Sequence, residues 1–176
     1  MENRGVPVRA LRKPDFEPIE AGKYIRRPPV VDLGSDIIAV LSVSPIQEDH
    51  ETLEGLLSRI NWKVQRANSL RSGLAKLRQD RVPVVISERD LLPGTWREIL
   101  VEAAQSPLPP FVIVTSRLAD ESLWAEALNI GAYDVLAKPF DAVEVVRVVS
   151  LAWLHWKDQY EVDGGWPKRV MTAASH

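Results

Sequence analysis

The chain has 176 residues, 45% of them hydrophobic and 26% charged, a composition that suits one α/β domain with segments added at its ends. It contains no cysteine, which excludes disulfides and thiolate metal sites. The formal net charge of −2 gives no overall basic field for nucleic acid; no apolar run approaches the roughly 20 residues needed to cross a bilayer, so a cytoplasmic protein is expected.

Residues 1–34 are rich in proline and charge. Pro7, Pro14, Pro18, Pro28 and Pro29 interrupt every periodic pattern, so an extended arm is expected. Arg9, Arg12, Lys13, Arg26 and Arg27 are basic spots within it, diluted by Asp15, Glu17 and Glu20. A domain over residues 35–158 follows. Ile37 to Leu41 reads as a buried strand. Ser44-Pro45-Ile46-Gln47 has the spacing of a capping box with proline at the first helical position. Leu53, Leu56, Leu57 and Ile60 then recur at helical spacing. Val64 lies in a short second strand, and Leu70, Leu74 and Leu77 mark a helix beginning near Ser69. Val82 to Ile86 is a β-branched run and so a third strand.

Leu92-Pro93-Gly94 reads as a loop, and Trp96, Ile99, Leu100 and Ala103 form the next helical stripe. Phe111 to Val114 is a fourth strand. Asp120 to Asn129 is a helix with Gly131 as its stop. Val135 to Ala137 is a fifth strand. Asp141 and Glu144 repeat the capping-box spacing ahead of an apolar helix to about Trp156, and residues 159–176 form a polar tail after it. Continuous apolar strands require cover on both sheet faces. Five βα units therefore predict a doubly wound, five-stranded parallel sheet in the order 2-1-3-4-5, a three-layer α/β/α fold with no antiparallel pairing inside residues 36–137. Functional residues in such sheets lie just beyond the carboxyl ends of the strands, here Ser42, Val43, Glu88, Thr115, Ser116 and Lys138.

Gly131-Ala132-Tyr133-Asp134-Val135-Leu136-Ala137-Lys138-Pro139-Phe140 resembles the Gly-Ala-x-Asp-x-Leu-x-Lys-Pro-Phe signature of response-regulator receiver (CheY-like) domains, and Val112 to Ser116 resembles the strand that carries their Thr/Ser. The resemblance covers roughly Asp36 to Lys157. It implies a signalling domain in which a histidine kinase passes a phosphoryl group to an aspartate after the third strand. An acidic pair after the first strand then holds Mg²⁺, and a lysine and a hydroxyl contact the phosphoryl group. Lys138 and Thr115 match the last two roles. Ser42 and Val43 stand where the acidic pair would be. The acceptor position falls on Glu88, or on Arg89 if Pro93 is taken as the family's loop proline. The aromatic switch position holds Val135.

On this reading the site keeps one carboxylate and one lysine, which cancel, and a serine hydroxyl is a poor replacement ligand for a hard divalent ion. No cofactor is expected, and Mg²⁺ binding should be weak or absent. Glu88 could instead carry its carboxylate into the phosphoryl position and pair with Lys138 and Thr115. Asp90 is read as a turn former. His50, His155 and His176 lack metal-ligand spacing and are assigned surface or cap roles.

The last helix is apolar on more than one face. Val145, Val149, Ala152 and Trp156 form one stripe; Val148 and Leu151 form a second, and Trp153 and Leu154 add to it. The tail, through Trp166, could cover this surface. Otherwise Trp124, Leu128, Val148 and Leu151 would form a partner or dimer face. Three functions follow: a stand-alone pseudo-receiver that is not an enzyme and works by protein contact; a working phosphorelay receiver served by a histidine kinase; or a nucleic-acid-associated regulator using the basic arm.

Overall fold

The structure, a computed structural model, describes residues 38–161, with side chains described to residue 159. The expectations for the arm at 1–34, for His176 and for Trp166 in the tail lie outside the described residues. In chain order the elements are β1 (Ile38–Val43), α1 (Gln47–Leu57), a 3₁₀ turn (Ser58–Ile60), β2 (Trp62–Ala67), α2 (Leu70–Gln79) and β3 (Val84–Glu88). A short hairpin, β4 (Asp90–Leu91) and β5 (Gly94–Thr95), precedes α3 (Trp96–Ala104), and β6 (Phe111–Ser116), α4 (Glu121–Ile130), β7 (Asp134–Ala137) and α5 (Ala142–Glu161) complete the domain.

The main sheet is parallel throughout, in the order β2-β1-β3-β6-β7. Leaving aside the hairpin, this is the 2-1-3-4-5 order. One expectation fails. Asp90–Leu91 pairs antiparallel with Gly94–Thr95 around Leu92-Pro93, so the loop after β3 is a small hairpin standing outside the sheet. Short two-residue strands of this kind have no periodicity to reveal them.

Side-chain parity divides the core. Ile38 and Val40 of β1, Val84 and Ile86 of β3, Ile113 and Leu136 turn to one face, where Leu53 and Leu57 of α1 and Val145, Val148, Val149 and Ala152 of α5 cover them. Leu41, Val43, Val85 and Val112 turn to the other and meet Ile99 and Ala103 of α3. Trp96, Val114, Leu123, Ala127, Ala132 and Val135 close the core beside α4. Burial of both faces explains why the strands read as unbroken apolar runs.

The helix boundaries follow local chemistry. Ser69 and Thr95 form reciprocal capping boxes with Ser72 and Glu98. Asp120 caps α4, which ends at Gly131 with φ 107°. Asp141 Oδ1 accepts from the Glu144 amide at 2.8 Å and starts α5, which runs on past Trp156 to Glu161. The capping box expected at Ser44 and Gln47 does not form. Ile46 is the N-cap and its side chain makes no capping bond, while the Gln47 amide donates to Glu51. Ser44 is used elsewhere.

Candidate functional site

The parity that sorts the core also builds the site. Ser42, Glu88, Thr115 and Lys138 each continue the α1/α5-facing register of its strand or follows its end by an even step: Val40 to Ser42, Ile86 to Glu88, Ile113 to Thr115, Leu136 to Lys138. All four therefore emerge on the face covered by α1, at the carboxyl edge of the sheet. The first turn of α1 lies directly over them.

Lys138 Nζ donates to Glu88 Oε2 and also to Asp49 Oδ2. The ammonium-bearing side chain is 5% exposed, and each carboxylate partner 10%. Ser44 Oγ donates to the same Asp49 oxygen at 2.5 Å and accepts from the Ile46 amide at 3.1 Å. Thr115 Oγ1 lies 3.5 Å from Glu88 Oε2 and 3.5 Å from the Ser87 carbonyl, a long contact to each. The site therefore holds two carboxylates against one ammonium, a formal −1, with hydroxyl donors on both acids.

Asp49 corrects the balance read from the sequence, which left one carboxylate opposite one lysine. The second acid comes from a helix rather than a strand end. Ser42 is also not a free ligand. Its hydroxyl donates to His50 Nδ1 at 2.8 Å, because His50 Nε2–H is committed to the Ser44 carbonyl at 2.9 Å and a carbonyl only accepts. His50 is fully buried, which overturns the surface or cap role expected for it. A buried imidazole with both nitrogens bonded ties the start of α1 to the end of β1. Val43 faces the opposite core and takes no part.

Of the two acceptor alternatives, Glu88 faces Lys138. Arg89 turns outward and donates to Asp90 through Nε at 2.9 Å and Nη2 at 2.7 Å, a bond that raises its guanidinium pKa. Asp90 is thereby engaged by Arg89, and its backbone pairs with Thr95 in the hairpin. Val135 is buried in the core beside α4. His155 is exposed, and its Nδ1 meets the Tyr133 hydroxyl at 2.8 Å.

The proposed partner residues divide. Trp124, Leu128 and Leu151 are exposed, but Val148 is 1% exposed and belongs to the core. Helix α5 packs on β3, β6 and β7 as well as α1, so it buries a stripe wide enough to include both Val148 and Val149. Trp153 is partly buried against Trp62, edge to face at 6.0 Å, and Trp156 is buried with its Nε1 donating to the Pro109 carbonyl at 3.0 Å.

The fold raises the question of a divalent ion at this edge. Among the described residues no group of three or more His, Cys, Asp and Glu side chains is placed to hold a metal. The two carboxylates that do converge are bridged by an ammonium, and the hydroxyls that reach them, Ser44 on Asp49 and Thr115 on Glu88, face the acids themselves. This donor set does not fit Mg²⁺, which wants several free oxygens around an octahedron.

Among the described residues no helix is long and apolar enough to cross a membrane. No protein-family model matches the chain, and no curated protein matches it. Solved structures do. The signal receiver domain of a putative LuxO repressor protein from Vibrio parahaemolyticus superposes with a TM-score of 0.68 at 19% identity, over 73% of this chain and 98% of that one. The signal receiver domain of an HD domain-containing protein from Pseudomonas fluorescens Pf-5 gives 0.64 at 25% identity, over 71% and 93%. A beryllofluoride-activated NtrC4 receiver domain, solved as a dimer, gives 0.61 at 23% identity, over 67% and 98%. The sheet order and these superpositions agree, and the chain has the fold of a response-regulator receiver domain.

Proposed function

We propose that the chain is a signal-transduction module of the receiver type that acts through protein contacts, without catalysis and without phosphoryl transfer. One observation carries the reading: Lys138 is bridged to both Glu88 and Asp49. The ammonium that would meet an incoming phosphoryl group already has two carboxylate acceptors. A phosphoryl group would bring further negative charge into a site that is formally −1. Metal ions are the main charge stabilisers of phosphoryl transfer, and the donor set disfavours Mg²⁺. The Glu88 carboxylate reaches the lysine on its own longer arm, so the contact is built in rather than made on demand.

A fixed site leaves partner binding as the means of signalling. Trp124 and Leu128 on α4 and Leu151 on α5 are exposed apolar groups on the two helices that pack on the edge strand β7. The NtrC4 receiver domain matched above was solved as a dimer. A second copy, or a protein of comparable apolar surface, is the partner this face suits.

The test is treatment of the full chain with acetyl phosphate and Mg²⁺, followed by intact mass measurement, with Mg²⁺ titrated separately against tryptophan fluorescence. The expected results are an unchanged mass and no saturable fluorescence change. A phosphorylated adduct that forms only with Mg²⁺ would overturn the reading. It would establish a working phosphorelay receiver with a kinase as its partner.

A further inference from the structure

The net charge of −2 conceals a strong asymmetry. Residues 59–81 contain Arg59, Lys63 and Arg66, then Arg71, Lys76 and Arg78, then Arg81, against Asp80 alone. That segment is formally +6, so the rest of the chain is formally −8. The segment comprises the edge strand β2, the helix α2 that follows it, and the turns on either side.

Topology gathers most of these charges at one corner. Trp62 pairs with Ile38, so β2 begins at the amino edge of the sheet. Arg59 immediately precedes that edge, and Lys63 is the second residue of the strand. Helix α2 packs on β1 and β2 and runs back antiparallel to them, as a right-handed crossover must. Its last turn, with Lys76 and Arg78, and Arg81 beyond it therefore return to the same edge. Arg59, Lys63 and Arg81 are exposed and Lys76 is half-exposed. Arg78 is held by Glu102 at 2.8 Å, and Arg66 by Glu54, so the charges left without an acid are mainly those at the corner. The Glu88–Lys138 site lies at the opposite edge of the sheet.

The corner lacks the features of a protein-binding hot spot. Every exposed large hydrophobic side chain of the described domain falls outside residues 59–81. Protein interfaces rest on buried aromatic or aliphatic anchors with a polar rim. Single-stranded nucleic acid is held by exposed aromatic platforms, and none is present here. Dispersed cations without apolar anchors suit the phosphate backbone of a duplex, whose contacts are ionic and independent of sequence.

We propose that the β2–α2 corner, through Arg59, Lys63, Lys76 and Arg81, is a non-specific docking surface for duplex nucleic acid. The remainder of the described domain, residues 38–58 and 82–159, is net acidic, repels the same duplex and so fixes which end of the domain approaches it. This surface is independent of the Glu88–Lys138 site.

The test uses the full chain and a labelled DNA duplex of about 30 base pairs at low salt, with affinity followed as salt is raised. Lys63→Glu/Lys76→Glu/Arg81→Glu is compared with the matching glutamine triple variant, and thermal melts confirm that both fold. Wild type should bind, with log affinity falling against log salt at a slope of about −3 to −4. The glutamine variant should bind more than tenfold more weakly, with its slope reduced by about 3. The glutamate variant should not bind measurably. Absence of wild-type binding, or equal binding by wild type and the folded glutamate variant, would overturn the proposal. So would binding to phosphatidylserine vesicles or to polyglutamate that equals or exceeds binding to the duplex.

Discussion

Removing the ammonium of Lys138 would leave Asp49 and Glu88 turned toward one buried point with no cation between them. Lys138→Met should therefore cost about 3 kcal/mol or more, the range for stranding a buried charge. Glu88→Gln should be milder, about 1 kcal/mol, because Asp49 still neutralises the lysine and glutamine keeps an acceptor. In the double variant only Asp49 remains charged, so the cost should be less than the sum of the two single losses. Urea unfolding of the four proteins checks this, and strictly additive losses would show that the three groups are not coupled. Although the sequence did not tell Ser42 from Val43 or Glu88 from Arg89, the strand-end residues of this site were legible in it, because functional residues of a parallel sheet lie just beyond its carboxyl ends. Asp49 and His50 were not, because they come from a helix whose apolar stripe was read only from Leu53 onward. Extending that stripe back by three and four residues lands on His50 and Asp49, so a signal was present. It points to residues that are buried by position yet polar by type.

At the scale of elements, two glycines at helix positions make opposite predictions. Gly131 ends α4 with φ 107°, and a Cβ built there would meet nothing within 4 Å. Its requirement is conformational rather than steric, so Gly131→Ala should destabilise by about 1–2 kcal/mol. Gly55 lies in the interior of α1, exposed, with equally open space around it. Gly55→Ala should stabilise by about 0.5–1 kcal/mol through the unfolded chain and helix propensity. Thermal melts should move in opposite directions, and a loss at Gly55 would show that α1 needs flexibility there. Helix ends of this kind were readable where the capping side chain had no competing task, as at Ser69, Asp120 and Asp141. The reading failed at Ser44 because its hydroxyl donates to the Asp49 carboxylate and accepts from the Ile46 amide, which leaves Ile46 rather than Ser44 as the N-cap. A capping motif is a local signal, and the site's electrostatics outweighed it.

For the whole molecule, the layer order and strand order could be inferred because continuous apolar strands leave few topologies open. What surface the finished domain presents could not, because it depends on how wide a stripe each helix buries. Val148 shows the limit: it is displaced from Val145 and Val149 around α5, yet the helix lies over β3, β6 and β7 and buries all three. If the exposed face of α4 and α5 mediates self-association, Leu128→Lys and Leu151→Lys should weaken it by replacing exposed apolar groups with charge. Neither change empties a core position, so melting should stay nearly unchanged. Val148→Lys should behave differently, losing on the order of 4 kcal/mol or more, because an ammonium would be placed in the apolar core between α5, α1 and the sheet. Sedimentation and melts of the three variants separate the cases. Association unchanged in both Leu128→Lys and Leu151→Lys would remove this face as the partner surface, whatever Val148→Lys does. Loss of association together with an unchanged melt would localise recognition to the α4–α5 side.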